Sequence, residues 1–215
     1  MLQVYLVRHG ETQWNAERRI QGQSDSPLTA KGEQQAKQVA ERAKALGITH
    51  VIASDLGRTQ RTAEIIADLC GCEITLDARL RELDMGVLEK RPIESLTEEE
   101  EQWRRQLVNG TSDGRIPDGE SMQELSNRMH AALATCLELP EGSRPLLVSH
   151  GMALGCLVST ILGLPAWAER RLRLRNCSIS RIDYQQSPWL ASGWVVETAG
   201  DVSHLDAPAL DELQR

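Results

Sequence analysis

The sequence predicts an α/β domain with a mostly parallel central sheet flanked by helices. Two observations carry that expectation. Short apolar runs of strand length alternate with longer stretches of helical periodicity along the chain. No internal repeat or low-complexity linker divides the 215 residues, a length that suits one domain and buries a self-sufficient core. A single domain over 1–215 is therefore expected.

Each element has its own local signal. Val4–Val7 reads as a buried first strand. From Ala30 to Leu46, the residues Ala36, Val39, Ala40, Ala43 and Leu46 form a helical stripe, with Thr29 as N-cap and Gly47 as stop. Val51–Ala53 is a second strand, Arg58 to Cys70 a helix ended by Gly71, and Glu73–Leu76 a third strand. Residues 79–120 read as an irregular insert on the substrate side, with a helix around Leu96–Val108 whose Glu98–Glu101 run is a solvated face. Gly110, Gly114, Pro117 and Gly119 mark a loop. The next helix carries Met122, Leu125, Met129, Leu133, Cys136 and Leu137 as a core stripe. Pro145–Ser149 is a central strand followed by a helix to Leu162, and Ser178–Tyr184 and Trp194–Glu197 are late strands. The polar tail from about Thr198 is expected to be loosely held.

Composition narrows the function. Twenty-four basic against 31 acidic residues give a net charge of −7, which argues against nucleic-acid and anionic-membrane partners but leaves room for a locally basic pocket. Aromatics are 3% and Phe is absent, so the core must be aliphatic. The five cysteines (Cys70, Cys72, Cys136, Cys156, Cys177) fit neither a disulfide framework nor a zinc site. The N-terminus lacks a signal-peptide pattern and no stretch approaches the ~20 apolar residues of a membrane span, so the cytoplasm is the expected location. Trp189 and Trp194 read as core residues before partner-surface ones, and Arg170–Arg175 fits either the pocket rim or solvent.

The chemistry is concentrated in the segments just after the strands. Arg8-His9-Gly10-Glu11-Thr12 comes after the first, Ser54 to Arg58 after the second, Arg81-Glu82 after the third, and His150-Gly151 after the central one. Ligands of open parallel sheets bind beyond the C-terminal strand ends, so Arg8, Arg58, His9, His150 and Glu82 are expected to converge on one rim. Arginine forks match phosphate oxygens, and histidine serves as nucleophile, acid or base near neutrality. Gly10 and Gly151 let backbone come close to a ligand. Taken singly each residue has a bland structural reading, which His50, His130 and His204 keep; the joint placement favours a phosphate site.

These segments resemble the histidine phosphatase superfamily, in its phosphoglycerate mutase-like branch. The resemblance rests on Leu6-Val7-Arg8-His9-Gly10-Glu11-Thr12, Trp14-Asn15, Gln21-Gly22, Leu28-Thr29-Ala30-Lys31-Gly32, Ser54-Asp55-Leu56-Gly57-Arg58, Arg81-Glu82, Gly119-Glu120-Ser121 and Ser149-His150-Gly151. It implies a three-layer fold of that type and a metal-independent phosphoryl transfer. His9 would attack phosphorus and become phosphohistidine; Arg8, Arg58 and His150 would hold the equatorial oxygens; Glu82 would be the acid and base. Gly10, Glu11, Thr12, Asn15, Gln21, Gly22, Gly151 and Met152 would line the substrate and phosphate site. Arg104 and Arg105, which resemble part of the mutases' substrate loop, read equally well as solvated helix charges.

Mutases of the family carry Glu-Arg-x-Tyr-Gly and Gly-Leu-Asn-Lys after the acid, and Asn-Ser-Leu-Arg after His-Gly. Here Leu83, Met85 and Ile93 replace the Arg, Tyr and Lys, and Met152-Ala153-Leu154-Gly155 comes after Gly151. The favoured expectation is therefore hydrolysis of a small phosphorylated metabolite by a monomer or homodimer without a cofactor. The alternatives are a phosphoglycerate mutase primed by 2,3-bisphosphoglycerate and a catalytically silent phosphate-binding module.

Overall fold

The computed structural model describes residues 1–109, 111–169, 171–186 and 193–206. Its sheet comprises β1 (Leu2–Arg8), β2 (His50–Ala53), β3 (Ile74–Leu76), β4 (Pro145–Ser149), β5 (Ile179–Gln185) and β6 (Gly193–Asp201), in the order β3-β2-β4-β1-β5-β6. The first four strands in that order run parallel; β5 and β6 are added antiparallel at one side. The described α-helices are α1 (Gln13–Ala16), α2 (Ala30–Leu46), α3 (Gly57–Cys70), α4 (Glu98–Asn109), α5 (Met122–Ala134) and α6 (Gly151–Ile161).

Side-chain alternation along the strands divides the core into two layers. Tyr5, Val7, Val51, Leu146 and Val148 pack with Ala36, Val39, Ala40, Ala43, Ala63 and Ile66 of α2 and α3. Val4, Leu6, Leu147 and Ile182 pack on the opposite face with Met122, Leu125 and Met129 of α5 and Leu154, Leu157 and Val158 of α6. The result is a three-layer α/β fold with an aliphatic interior.

Helix boundaries obey local chemistry. Thr29 caps α2 through its side chain, and Gly47 ends it in the left-handed region at φ +70°. Ser121 and Glu124 form a capping box on α5. The short helix α1 has no apolar stripe to announce it; the reciprocal Thr12–Asn15 capping box holds it.

One expectation needs correction. The first part of the expected tail is held: β6 continues to Asp201, pairing Thr198 with Arg181 and Asp201 with Ile179, and Leu205 is buried, while 207–215 lie outside the described residues. Its residues Glu197, Thr198 and Ala199 are exposed on an edge strand, which gives them the composition of a tail. Residues 79–120 have the irregular backbone expected of them, with 3-10 turns at Gly86–Leu88 and Ile93–Ser95 and helix α4, and they bury Leu80, Leu83, Leu88, Leu107 and Ile116 in the same cluster as α5 and α6. Trp194 packs edge-on against Tyr184, whereas Trp189 and Arg170 lie outside the described residues.

Candidate active site

The parallel strands β1, β2 and β4 deliver Arg8 and His9, Ser54 to Arg58, and His150 to one rim. His9 is buried, and its Nδ1 lies 2.7 Å from the carbonyl of Gly10. A carbonyl only accepts, so Nδ1 carries the proton and the lone pair resides on Nε2. Burial, followed by the charges of Arg58 and Arg8, holds the His9 pKa well below the usual histidine value. The ring therefore stays neutral and nucleophilic. His150 stands edge-on to it, ring centroids 5.2 Å apart. Arg58 Nε–H donates to His150 Nδ1 at 3.2 Å, which leaves the proton on Nε2 to reach Ser54 Oγ at 2.9 Å. His150 is likewise kept neutral, by burial first and then by Arg58.

Arg58 is 1% exposed and is oriented by protein acceptors. Nη1 donates to the Ser24 carbonyl at 2.7 Å and to Asp25 Oδ1 at 2.9 Å, and Nη2 to the Gly22 carbonyl at 2.7 Å. With Nε on His150, one Nη2 donor remains for an anion. The loop that supplies these acceptors is fastened by Glu89. Gly22 has φ +55°, and a Cβ there would lie 2.1 Å from Glu89 Oε1, so both conformation and space require glycine. Arg8 donates through Nη1 to the Leu174 carbonyl at 2.8 Å, and a Cβ on Gly151 would sit 3.3 Å from its Nε. Leu174 thus reaches the site through main chain, while Arg171 is exposed and pairs with Glu169.

Glu82 caps α6. Its Oε1 accepts from Ala153 N–H at 2.9 Å and from Leu83 N–H at 2.9 Å, and Oε2 accepts from Met152 N–H at 3.0 Å. The carboxyl is thus fixed beside His150 and Gly151, which begin that helix.

Several expected site residues brace the frame. Gly10 N–H donates to Thr62, and a Cβ on Gly10 would come 2.6 Å from the Gly32 carbonyl, so its close approach is to α2. Both Glu11 oxygens are taken, by Thr29 Oγ1 at 2.9 Å and Lys31 Nζ at 3.1 Å. Thr12 and Asn15 close the α1 cap. Gln21 is buried at the start of the Arg58-binding loop. The structure does not bring Arg104 and Arg105 into this network: Arg104 pairs with Glu101 one turn back on α4, and Arg105 is exposed. Leu83 belongs to the aliphatic core with Leu80 and Leu88, and Gly155 is buried within α6.

Other contributors are legible only in three dimensions. Asn176 Nδ2 donates to the His9 carbonyl at 2.9 Å and to Asn15 Oδ1 at 3.3 Å. Next to it Cys177 adopts φ +54°, an uncommon conformation that sets its N–H 2.9 Å from the Arg8 carbonyl. Asp25, Glu89 and Arg128 likewise gain their roles by folding; the Glu82-x-x-x-Gly86-x-x-Glu89 spacing is a sequence signal for Glu89 alone.

Comparison with known proteins agrees with this geometry. A model of the histidine phosphatase superfamily (branch 1) matches residues 4–197. A relative from Salmonella arizonae, named probable phosphoglycerate mutase GpmB, is 89% identical over the whole of both chains. Among solved structures, Bacillus stearothermophilus YhfR is 30% identical with TM-score 0.86, covering 96% of this chain and 100% of its own. A phosphoserine phosphatase from Entamoeba histolytica, in complex with phosphoserine, is 25% identical with TM-score 0.83, covering 96% and 100%. The alpha-ribazole phosphatase of Shigella flexneri is 26% identical with TM-score 0.79, covering 93% and 96%.

Proposed function

The chain belongs to branch 1 of the histidine phosphatase superfamily, and from that premise we propose that it hydrolyses a small phosphomonoester through a phosphohistidine at His9. The observation that carries the reading is the His9 tautomer. Nδ1–H is spent on the Gly10 carbonyl, leaving a neutral Nε2 lone pair among three cationic or polar groups, Arg8, Arg58 and His150.

Nε2 attacks phosphorus in line, the ester P–O bond breaks, and its electron pair leaves on the alcohol oxygen. That oxygen takes a proton from the Glu82 carboxyl, whose Oε2 accepts a single N–H and so retains a position for it. Water then attacks phosphorus, the P–N bond breaks with its electrons returning to Nε2, and the water proton restores Glu82. The sum is ester plus water giving alcohol plus phosphate. Guanidinium charge from Arg8 and Arg58 neutralises the equatorial oxygens, so the reaction as proposed requires no metal.

Hydrolysis is favoured over transfer to a second hydroxyl by apolar groups where family mutases place donors. Met85, Ile93 and Met152 are half-buried and none has a side chain able to hold a carboxylate by ion pairing. The phosphoserine and alpha-ribazole phosphatases lend support. The second reading, a mutase using 2,3-bisphosphoglycerate as primer, draws on the name of the 89% identical relative.

One assay in EDTA separates them, supplying 3-phosphoglycerate, sugar phosphates and aryl phosphates with and without 2,3-bisphosphoglycerate. Release of inorganic phosphate is the expected result, with an acid-labile protein label absent from His9→Ala. Primer-dependent 2-phosphoglycerate would replace this reading with the mutase, silence on every substrate would leave a binding module, and a label persisting in His9→Ala would remove the carrier.

A further inference from the structure

We propose that Arg128 and Glu120 form a positioning device for Glu82, fixing the main chain of the proton donor whose carboxyl is held separately by α6. The inference rests on the proposed role of Glu82 as acid.

Glu82 sits on irregular backbone between a three-residue edge strand and a single 3-10 turn, Ala78–Leu80, on one side and the buried Leu83 on the other. Such a segment has no ladder to satisfy its carbonyls. Four successive carbonyls are nevertheless all engaged. Arg128 Nη1 donates to those of Arg79 at 2.8 Å and Arg81 at 2.5 Å, and Nη2 to that of Glu82 at 2.8 Å. Ser149 Oγ, at the end of β4, donates to that of Leu80 at 2.7 Å.

The remaining Arg128 donors go to Glu120. Nε donates to Oε2 at 3.0 Å and Nη2 to Oε1. All five guanidinium N–H groups are thereby used. Glu120 extends the grip past Glu82: its Oε1 also accepts from Asp84 N–H at 3.0 Å, and its own N–H donates to the Asp84 carbonyl at 3.2 Å. Arg128 stands on α5, and the Met152 and Ala153 N–H groups that receive the Glu82 carboxyl stand on α6. Two packed helices therefore hold the same residue, one by its main chain and one by its side chain. The planar fork makes five bonds at once, three to carbonyls and two to Glu120, where an ammonium on a flexible stem has three donors in all.

The test uses Arg128→Lys in the full chain and compares kcat/KM for an alkyl phosphate with that for 2,4-dinitrophenyl phosphate. The alkyl alkoxide needs a proton to leave; dinitrophenolate does not. Because general acid catalysis contributes roughly 10²–10⁴-fold, misplacing the donor should cost about tenfold or more on the alkyl ester and less than about threefold on the aryl one. In a Glu82→Gln background Arg128→Lys should add nothing to the alkyl-ester loss. Equal losses on both esters, or a further loss in the Glu82→Gln background, overturn the inference. If Glu82→Gln itself lowers both esters alike, the acid role fails instead. Should Arg128→Lys not fold, Glu120→Gln keeps the guanidinium while removing the charge that orients it, and must show the same selective loss.

Discussion

Glu89 accepts four hydrogen bonds, from Gln23 N–H at 2.6 Å, Ser24 N–H at 2.8 Å, Ser24 Oγ–H at 2.5 Å and Met85 N–H at 3.3 Å. It thereby sets the Gly22 and Ser24 carbonyls that aim Arg58. A glutamine is nearly isosteric but replaces one acceptor oxygen with a donor, turning an NH₂ toward N–H groups that need an acceptor. Hydrogen bonds to charged groups are worth roughly 1.5–3 kcal/mol, so Glu89→Gln should weaken inhibition by vanadate about tenfold. An unchanged vanadate inhibition constant in a folded variant would show that Arg58 keeps its aim without this carboxylate.

At the level of elements, the loop after β1 is pressed onto the first turn of α2 with backbone against backbone. A Cβ on Gly32 would lie 2.0 Å from the Glu11 carbonyl oxygen. Neither partner is a flexible side-chain end, so Gly32→Ala must push α2 from the loop carrying His9 or distort one of them. Overpacking of this kind costs about 1–3 kcal/mol. The variant should unfold at a lower urea midpoint and turn over more slowly. A wild-type midpoint would mean that the contact relaxes freely. The same contact explains why Thr29, Lys31 and Gln35 all bond to Glu11: α2 is the abutment of the loop.

For the molecule as a whole, four buried or half-buried histidines link stability to pH. His9 and His150 are held well below 6.5, and His130 and His204 are also lowered, with burial the largest cause in each. Below about pH 6.5 the unfolded chain takes up protons that the folded chain refuses. Folding stability is therefore fully present above that value and is lost as pH falls toward the folded pKa values, by up to about 1.4 kcal/mol per unit for each histidine. Urea midpoints in phosphate-free buffer should drop between pH 7.5 and pH 5.5; a flat or rising midpoint would contradict the burial of these neutral rings. Carboxylates lowered by arginine partners, such as Asp55 with Arg81, add their own loss at more acid pH.

The parallel frame and the residues at its strand ends were determined by the sequence itself. Apolar periodicity is a local property, and a parallel sheet sends every post-strand loop to one side, so Arg8, His9, Arg58, Glu82 and His150 could be read together. The resemblance to the family comes from the same short segments. Tertiary structure alone decided which of them converge on one rim and which brace the wall. Arg128 lies 46 positions from Glu82, and Asn176 lies 167 from His9, yet each bonds that residue's carbonyl. On its own helix Arg128 has the pattern of a solvated charge, and Glu11 has that of a ligand-facing acid. Their uses depend on where backbone donors and acceptors are left unsatisfied, and that is fixed only when helices α2, α5 and α6 close on the sheet.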